Sequence, residues 1–428
     1  MKKWIAMTLA LTTAAGLMTG CSSGEESSAG SASSAGDGPV TIEFWHSMGS
    51  TTGELIQEIV DEFNASQDEV YVEAIYQGDY TTAGTKLQAA VSGGNAPQVA
   101  QIEITSVGMY ANAGMLLDLM PFAENDPEFD LDGFYDGVMD FSYYDDQLIS
   151  LPNGRSVPVL YYNADAFEAA GLGAPETWED MRAAATALTG DGTYGFGLPV
   201  GDSWYYLAMV LTAGGQIYNE EGNNIGFYGE AGTKPLQLWR DMMDEGTLYI
   251  PEGEDYSSNA ALRNAFMAGT CAMTMQSSAQ YRSLADNSDF EVGVAYIPKD
   301  VTYAAIPGGS NLVAFAGMSE EEEQATWTFL KYMCSGEVAG KYAAGTGYLP
   351  TSDAALNSQV YQDMLAQYPY LDVAVEQLEY FVTMPFDEAY TEIKDTVIGK
   401  YEQECIIGGM SPEDAVENMY QETAKFYQ

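Results

Sequence analysis

The chain is predicted to be an α/β protein, on two observations. β-rich runs alternate with helix-patterned segments from Val40 to Gly114, and residues 39–428 are too many for one ordinary core, suiting about two domains of typical size. Val40-Thr41-Ile42-Glu43-Phe44-Trp45 reads as the first strand. Ser50 or Thr51 is expected to cap the helix that follows, with Glu54 three residues after Thr51, and Leu55, Ile59, Val60 and Phe63 recur at helical spacing. Val70 to Tyr76 is the second strand, followed by a helix through Lys86 to Val91 that closes at Gly93-Gly94-Asn95. Gln98 to Ile102 is the third strand and leads into a helical pattern ending at Gly114. Strands joined by helical crossovers call for a largely parallel sheet.

After an irregular acidic stretch, Glu124 to Asp146, the alternation resumes with a strand over Val157 to Tyr162 and a helix opening at Thr177-Trp178-Glu179-Asp180. Further α/β signals lie at Ala265 to Met275, Val292 to Ile297 and Leu312 to Phe315. From Glu320 on the chain reads mostly helical, and Ser411-Pro412-Glu413-Asp414 starts the last helix with a cap and a proline at the first helical position. There is no internal repeat of the kind that solenoids show.

The first residues read as export machinery. Lys2 and Lys3 precede an apolar stretch from Trp4 to Met18 that is shorter than the roughly 20 residues a membrane span needs. Leu17-Met18-Thr19-Gly20-Cys21 resembles the bacterial lipobox, whose cysteine is acylated and becomes the new N-terminus. Residues 1–20 are thus expected to be a lipoprotein signal peptide with Cys21 lipidated. Residues 21–38, all small or acidic after the cysteine, are expected to be a flexible tether.

Charge excludes one class of partner: 15 basic against 63 acidic residues give a net charge of -48, which repels nucleic acid and anionic membrane surfaces. The acids are spread from Glu54 to Glu422, which describes a solvated surface rather than a cation site. Cys271, Cys334 and Cys405 permit at most one disulfide and form no C-x-x-C motif, and a single histidine, His46, does not build a zinc site. No cofactor and no metal are expected, and His46 reads as structural.

Six segments, in order, carry a family likeness: Phe44-Trp45-His46-Ser47-Met48, Tyr76-Gln77-Gly78-Asp79-Tyr80, Gly94-Asn95-Ala96-Pro97, Pro158 to Asn163, Gly269 to Thr274, and Thr346-Gly347-Tyr348-Leu349-Pro350. By them the chain resembles the extracellular solute-binding proteins of the ABC sugar-importer group, family 1, and most closely the glycerol-3-phosphate-binding lipoproteins. That resemblance implies a two-lobed periplasmic-binding-protein-like fold with discontinuous domains, a hinge and an interdomain cleft. The solute-binding domain, 39–428, would divide into a lobe of about 39–150 plus 305–347 and a second of about 156–298 plus 350–428, with crossings near Ser150 to Ser156, Pro298 to Gly309 and Gly345 to Pro350. It implies a small polar ligand, a sugar or glycerol derivative, ABC permease subunits with a separate ATPase as partners, and a monomer held at the extracytoplasmic side of the membrane through Cys21 alone.

The same resemblance implies ligand contacts from Tyr80, Ser156, Ser277, Gly309 and Tyr348, whose phenols, hydroxyls and backbone N–H suit a polyol. Trp204 matches a stacking tryptophan, while Tyr205 and Tyr206 read as core and at most one of Tyr161 and Tyr162 can reach a cleft from their strand. Three departures stand out. The family's acidic residue falls at Ile104, with Glu103 one residue earlier. Gly201 replaces a second tryptophan, leaving space for a larger ligand. The phosphate-holding arginine falls near Asp395, beside Lys394. A carboxylate there repels phosphate, which favours a neutral mono- or oligosaccharide, with Arg155 as the residue that would clamp a phosphate instead.

Two other classes compete. A glycoside hydrolase would use two carboxyl groups about 5 to 9 Å apart, and a purely adhesive surface lipoprotein would offer no cleft. The chain has no G-x-S-x-G, H-E-x-x-H or G-x-x-x-x-G-K-[ST] motif, so neither a hydrolase elbow nor a nucleotide loop supports an enzyme.

Overall fold

The computed structural model describes residues 38–251, 256–382, 384, 385, 387 and 389–428. The signal peptide, Cys21 and nearly all of the tether expected from the sequence lie outside them. Among the described residues no helix is long and apolar enough to cross a membrane.

Two five-stranded sheets organise the rest, one in each of two lobes. The strands, in chain order, are β1 (Val40–His46), β2 (Val70–Tyr76), β3 (Val99–Glu103), β4 (Tyr143–Tyr144), β5 (Gln147–Leu148), β6 (Leu151–Ser156), β7 (Pro158–Asn163), β8 (Phe196–Gly197), β9 (Leu248–Tyr249), β10 (Met273–Ser277), β11 (Val292–Ala295) and β12 (Gly308–Ala314). The first sheet has the order β2-β1-β3-β12-β6 and the second β11-β7-β10-β8-β9, while β4 and β5 form a hairpin at the end of the acidic stretch. β1 is buried at Ile42, Phe44 and His46, the alternation that puts one face of a strand on a core.

The largely parallel expectation holds except for one strand per sheet. β12 runs antiparallel to β3 and β6, and β7 antiparallel to β10 and β11. These are the strands by which the chain enters each sheet from the other. A strand arriving from the opposite lobe starts at the edge where the crossover-connected strands end, so it must run against them. The chain leaves the first sheet at Ser156 and starts the second at Pro158. At Arg155 three distant segments lie side by side, since Gly309 pairs with it in β12 and Leu349 N–H donates to its carbonyl at 2.7 Å.

Two of the three expected helix caps form. Thr177 and Asp180 form a reciprocal capping box on helix Trp178–Leu188, and Ser411 caps helix Pro412–Thr423. The cap expected from Ser50 or Thr51 is absent: helix Ser50–Ser66 follows Gly49 without a side-chain cap, Ser50 has φ +51°, and the nearby Thr52 hydroxyl donates to Gly49 O at 2.7 Å. One core packs Phe44, Phe63, Phe329 and Leu330 beside the first sheet, and another gathers Phe196, Tyr206, Trp239 and Met273 beside the second. Each such fully buried side chain contributes about 1.5–3 kcal/mol. A third joins Val157 and Leu349 with Tyr161 of β7 and Ala343 of helix Gly336–Thr346.

Candidate functional site

Several of the expected site residues lie near one another in the fold. Tyr80 opens helix Tyr80–Ser92, whose end is capped by the Asp79 carboxylate accepting from Thr82 N–H at 2.8 Å. Its phenol oxygen lies 3.2 Å from that of Tyr348, which stacks at 6.1 Å on Tyr342. Burial first, then the neighbouring phenols of Tyr348 and Tyr342, push Tyr80 well above the usual tyrosine range, so it stays a neutral donor and acceptor. Gln101 extends the network, its amide donating to Tyr342 OH at 2.8 Å and Ser310 Oγ at 3.0 Å.

Two glycines make this approach possible. A Cβ on Gly154 would stand 2.9 Å from Tyr348 Cδ2, and Gly309, at φ +113°, abuts the Gly154 carbonyl so closely that any side chain would overlap it. Ser156 ends β6 opposite Gly308, and a Cβ on Gly308 would meet Trp204 Cζ2 at 2.8 Å and Ser156 Oγ at 3.0 Å. Trp204 therefore lies beside Ser156 and Gly308. It sits in helix Ser203–Thr212, capped by Asp202, and its indole Nε1 is buried without a protein partner. Tyr205 and Tyr206 are core, as read. Ser277 ends β10 and is tied in by Tyr161, whose hydroxyl donates to Ser277 O at 2.9 Å.

Glu103 ends β3 and accepts a hydrogen bond from Thr105 N–H at 3.1 Å and another from the Thr105 hydroxyl. Ile104 is fully buried, so of this pair only Glu103 offers a polar group. Across from it stands Lys394. Burial lowers the Lys394 ammonium, but the carboxylates of Glu103, Asp395 and Asp202 together more than reverse this, and its pKa lies above the ordinary lysine value. The Lys394 side chain is 17% exposed and lies 3.5 Å from Asp395, which is 59% exposed. The buried position at this end of the site thus belongs to the ammonium rather than to the Asp395 carboxylate. The two lobes also touch here, as the Thr391 hydroxyl donates to Thr105 O at 3.3 Å. Partial burial raises the Asp202 carboxyl, partly offset by Asn259, whose amide donates to it at 2.7 Å.

Two expectations are corrected. Arg155 is fully buried, and its guanidinium donates to the carbonyls of Gly154 at 3.1 Å, Ser310 at 3.0 Å and Val138 at 2.6 Å. Burial brings it down to about 9, only partly offset by Tyr80, Glu103 and Asp140. Both terminal nitrogens are committed to backbone and only the buried Nε has no protein partner, so Arg155 does not offer a bidentate phosphate clamp. Nor does Gly201 leave room for a larger ligand, because Gln403 fills the space a side chain would take and donates to Val200 O at 3.3 Å.

His46 is buried and its pKa is lowered to about 4, by burial against a smaller opposing effect of the Met48 backbone. Cys271, Cys334 and Cys405 are free thiols, and no metal-binding cluster occurs among the described residues. Sequence reasoning missed Gln101, Asp202 and Asn259. Of these only Gln101 left a signal, a polar side chain in an otherwise apolar strand core.

The model of a family described as bacterial extracellular solute-binding protein matches residues 58–367. The sn-glycerol-3-phosphate-binding periplasmic protein UgpB of Yersinia pseudotuberculosis is 30% identical over 407 residues, covering 88% of this chain and 90% of that protein. Among solved structures, UgpB from Mycobacterium tuberculosis in complex with glycerophosphocholine superposes with a TM-score of 0.79 at 22% identity, over 92% of this chain and 99% of that one. The cyclic alpha-maltosyl-1,6-maltose binding protein from Arthrobacter globiformis superposes with a TM-score of 0.78 at 24% identity, over 91% and 99%. The fold is that of the two-lobed binding proteins.

Proposed function

The chain belongs to the bacterial extracellular solute-binding proteins, and from that premise we propose that it captures a neutral carbohydrate or glycerol-type solute between its lobes and delivers it to an ABC permease powered by a separate ATPase. The observation that carries the ligand class is the balance of groups at the site. The candidate contacts are the phenols of Tyr80 and Tyr348, the hydroxyls of Ser156 and Ser277, Gly309 and the Trp204 indole, and the one ammonium of the site, Lys394, is already offset by the carboxylates of Glu103, Asp395 and Asp202. A phosphate dianion brought there would face net negative charge, at about 4 kcal/mol per unit pair at 4 Å in a protein surface environment. Hydroxyl groups carry no such penalty, and an indole face suits a sugar ring.

In this reading the protein is a binder and not an enzyme. Residues 1–20 are the leader, Cys21 carries the lipid that is its sole membrane contact, and 21–38 tether a monomeric solute-binding domain on the extracytoplasmic side. Its lobes are about 39–150 plus 305–347 and 156–298 plus 350–428. Closure of the lobes on the ligand is a hinge motion of the kind that periplasmic binding proteins use. A second reading, glycerol-3-phosphate or a glycerophosphodiester, is favoured by the glycerol-3-phosphate-binding relative and by the buried Lys394 ammonium.

The test is a thermal-shift screen of residues 38–428, one compact unit, against neutral sugars, polyols, glycerol-3-phosphate and glycerophosphodiesters. At a hundred times Kd a ligand adds about 2.7 kcal/mol. A midpoint rise with neutral saccharides or polyols alone is the expected result. A rise with phosphates alone replaces it with the second reading, and no rise with any compound overturns both.

A further inference from the structure

Behind Tyr80 and Glu103, within the first lobe, lies a cavity of about 50 Å³. At roughly 10–15 Å³ per water-sized site it holds a few waters or a fragment of three or four non-hydrogen atoms. It opens at the carboxyl ends of the parallel strands β1 and β3, the edge of an α/β sheet where ligands characteristically lodge. Its wall is mainly apolar, with Leu87 and Ile102, but four hydroxyl-bearing residues line it, Ser47, Tyr80, Ser106 and Tyr110, of which Ser47 and Tyr110 matter here. Neither has a protein partner, although Ser47 is only 8% and Tyr110 only 4% exposed. Buried polar groups are nearly always paired, and an unpaired one costs about 1–3 kcal/mol. Two in one cavity call for hydrogen-bonding partners inside it, which bound waters supply and a polar group of a solute can replace.

The charge of the wall narrows its chemistry. No lysine, arginine or histidine lines the cavity and Glu103 does, which opposes an anion. A quaternary ammonium donates no hydrogen bond and accepts none, so it would leave both hydroxyls unpaired. We propose that this cavity is a subsite that receives an uncharged, hydroxyl-bearing arm of the bound solute, a hydroxymethyl or a terminal 1,2-diol, held by Ser47 and Tyr110. The proposal rests on the solute-binding function above and adds to it the determinant that distinguishes solutes with such an arm from those without.

Gly84, in helix Tyr80–Ser92, supplies an independent handle. It lines the cavity and a Cβ there would meet no atom within 4 Å, so a larger side chain enters the space without a clash while improving the helix. The experiment is calorimetric titration with two matched pairs, D-glucose against D-xylose and sn-glycerol-3-phosphate against 3-hydroxypropyl phosphate, each pair differing by the hydroxyl-bearing arm or its hydroxyl. The unsubstituted protein should prefer the fuller member. Ser47→Ala and Tyr110→Phe should each weaken that member about tenfold and leave the other within about twofold, and Gly84→Leu should abolish the preference. Variants that bind both members as the unsubstituted protein does would overturn the subsite while leaving the solute-binding function intact. So would an unsubstituted protein that does not distinguish the members, or that binds neither while binding another compound of the screen. If it binds nothing in the screen, the function itself fails and the subsite with it.

Discussion

Replacing Lys394 with methionine removes the one cation from a group of three carboxylates while keeping most of the side-chain volume. Asp395, 59% exposed, is well screened and contributes little to the interaction. Glu103 and Asp202 are partly buried and carry most of it. Breaking a buried pair by deleting one partner costs about 3–5 kcal/mol. Here the Lys394 side chain retains 17% exposure and the carboxylates can take up a proton, so the loss at pH 8 is placed near the lower end, about 3 kcal/mol. The sign of the pH dependence follows from the proton. The Asp202 carboxyl, already raised by burial, loses a neighbouring cation in the variant, so its folded-state pKa lies above its unfolded one and the folded state loses stability as pH rises through the folded value. The deficit relative to the unsubstituted protein should therefore be largest at pH 8 and shrink toward pH 4.5 to about 1–2 kcal/mol. Urea denaturation of residues 38–428 at the two pH values measures it. A deficit that is equal at both, or below about 0.5 kcal/mol at pH 8, would show that Lys394 is solvated and not held by Glu103 and Asp202.

Further expectations concern other parts of the fold. Gly309→Ala, which sets a side chain at φ +113° against the Gly154 carbonyl, should cost at least about 2–3 kcal/mol and lower the thermal midpoint, with ligand affinity reduced through Tyr348. His46, the only histidine, should titrate near 4 in the folded protein. Because that value is depressed, its stability contribution is present above pH 6.5 and is lost as pH falls through 4, by up to about 3 kcal/mol. Its imidazole proton resonances follow the titration directly, and a midpoint near 6.5 would contradict its burial. Cys271 and Cys405, pushed up by burial to about 12 and about 11, should resist a disulfide-exchange reagent at pH 8 and react once the protein is unfolded in urea. Tyr348→Phe, which removes the contact with the Tyr80 hydroxyl, should cost about 0.5–1.5 kcal/mol of stability and be read as a weaker ligand by calorimetry.

The sequence by itself determined what is settled within a turn of helix or along one strand. The alternation of β-rich and helical patterns determined the α/β class, Thr177 with Asp180 and Ser411 with Pro412 marked two helix starts, and the lack of any partner motif marked the lone His46 as structural. These outcomes depend on backbone propensity, capping and side-chain period, all of which act between near neighbours. The tertiary structure alone decided what meets what. That Glu103, Asp202 and Lys394 share one field, that Arg155 is consumed by three carbonyls, and that Gln403 fills the space beside Gly201 all join residues far apart in the chain. The reversed strands β7 and β12 follow from the same source, since their direction is set by which lobe the chain has just left. A local pattern carries no record of that, because the contacts are made by packing across the segments that pass between lobes, where Arg155, Gly309 and Leu349 lie side by side.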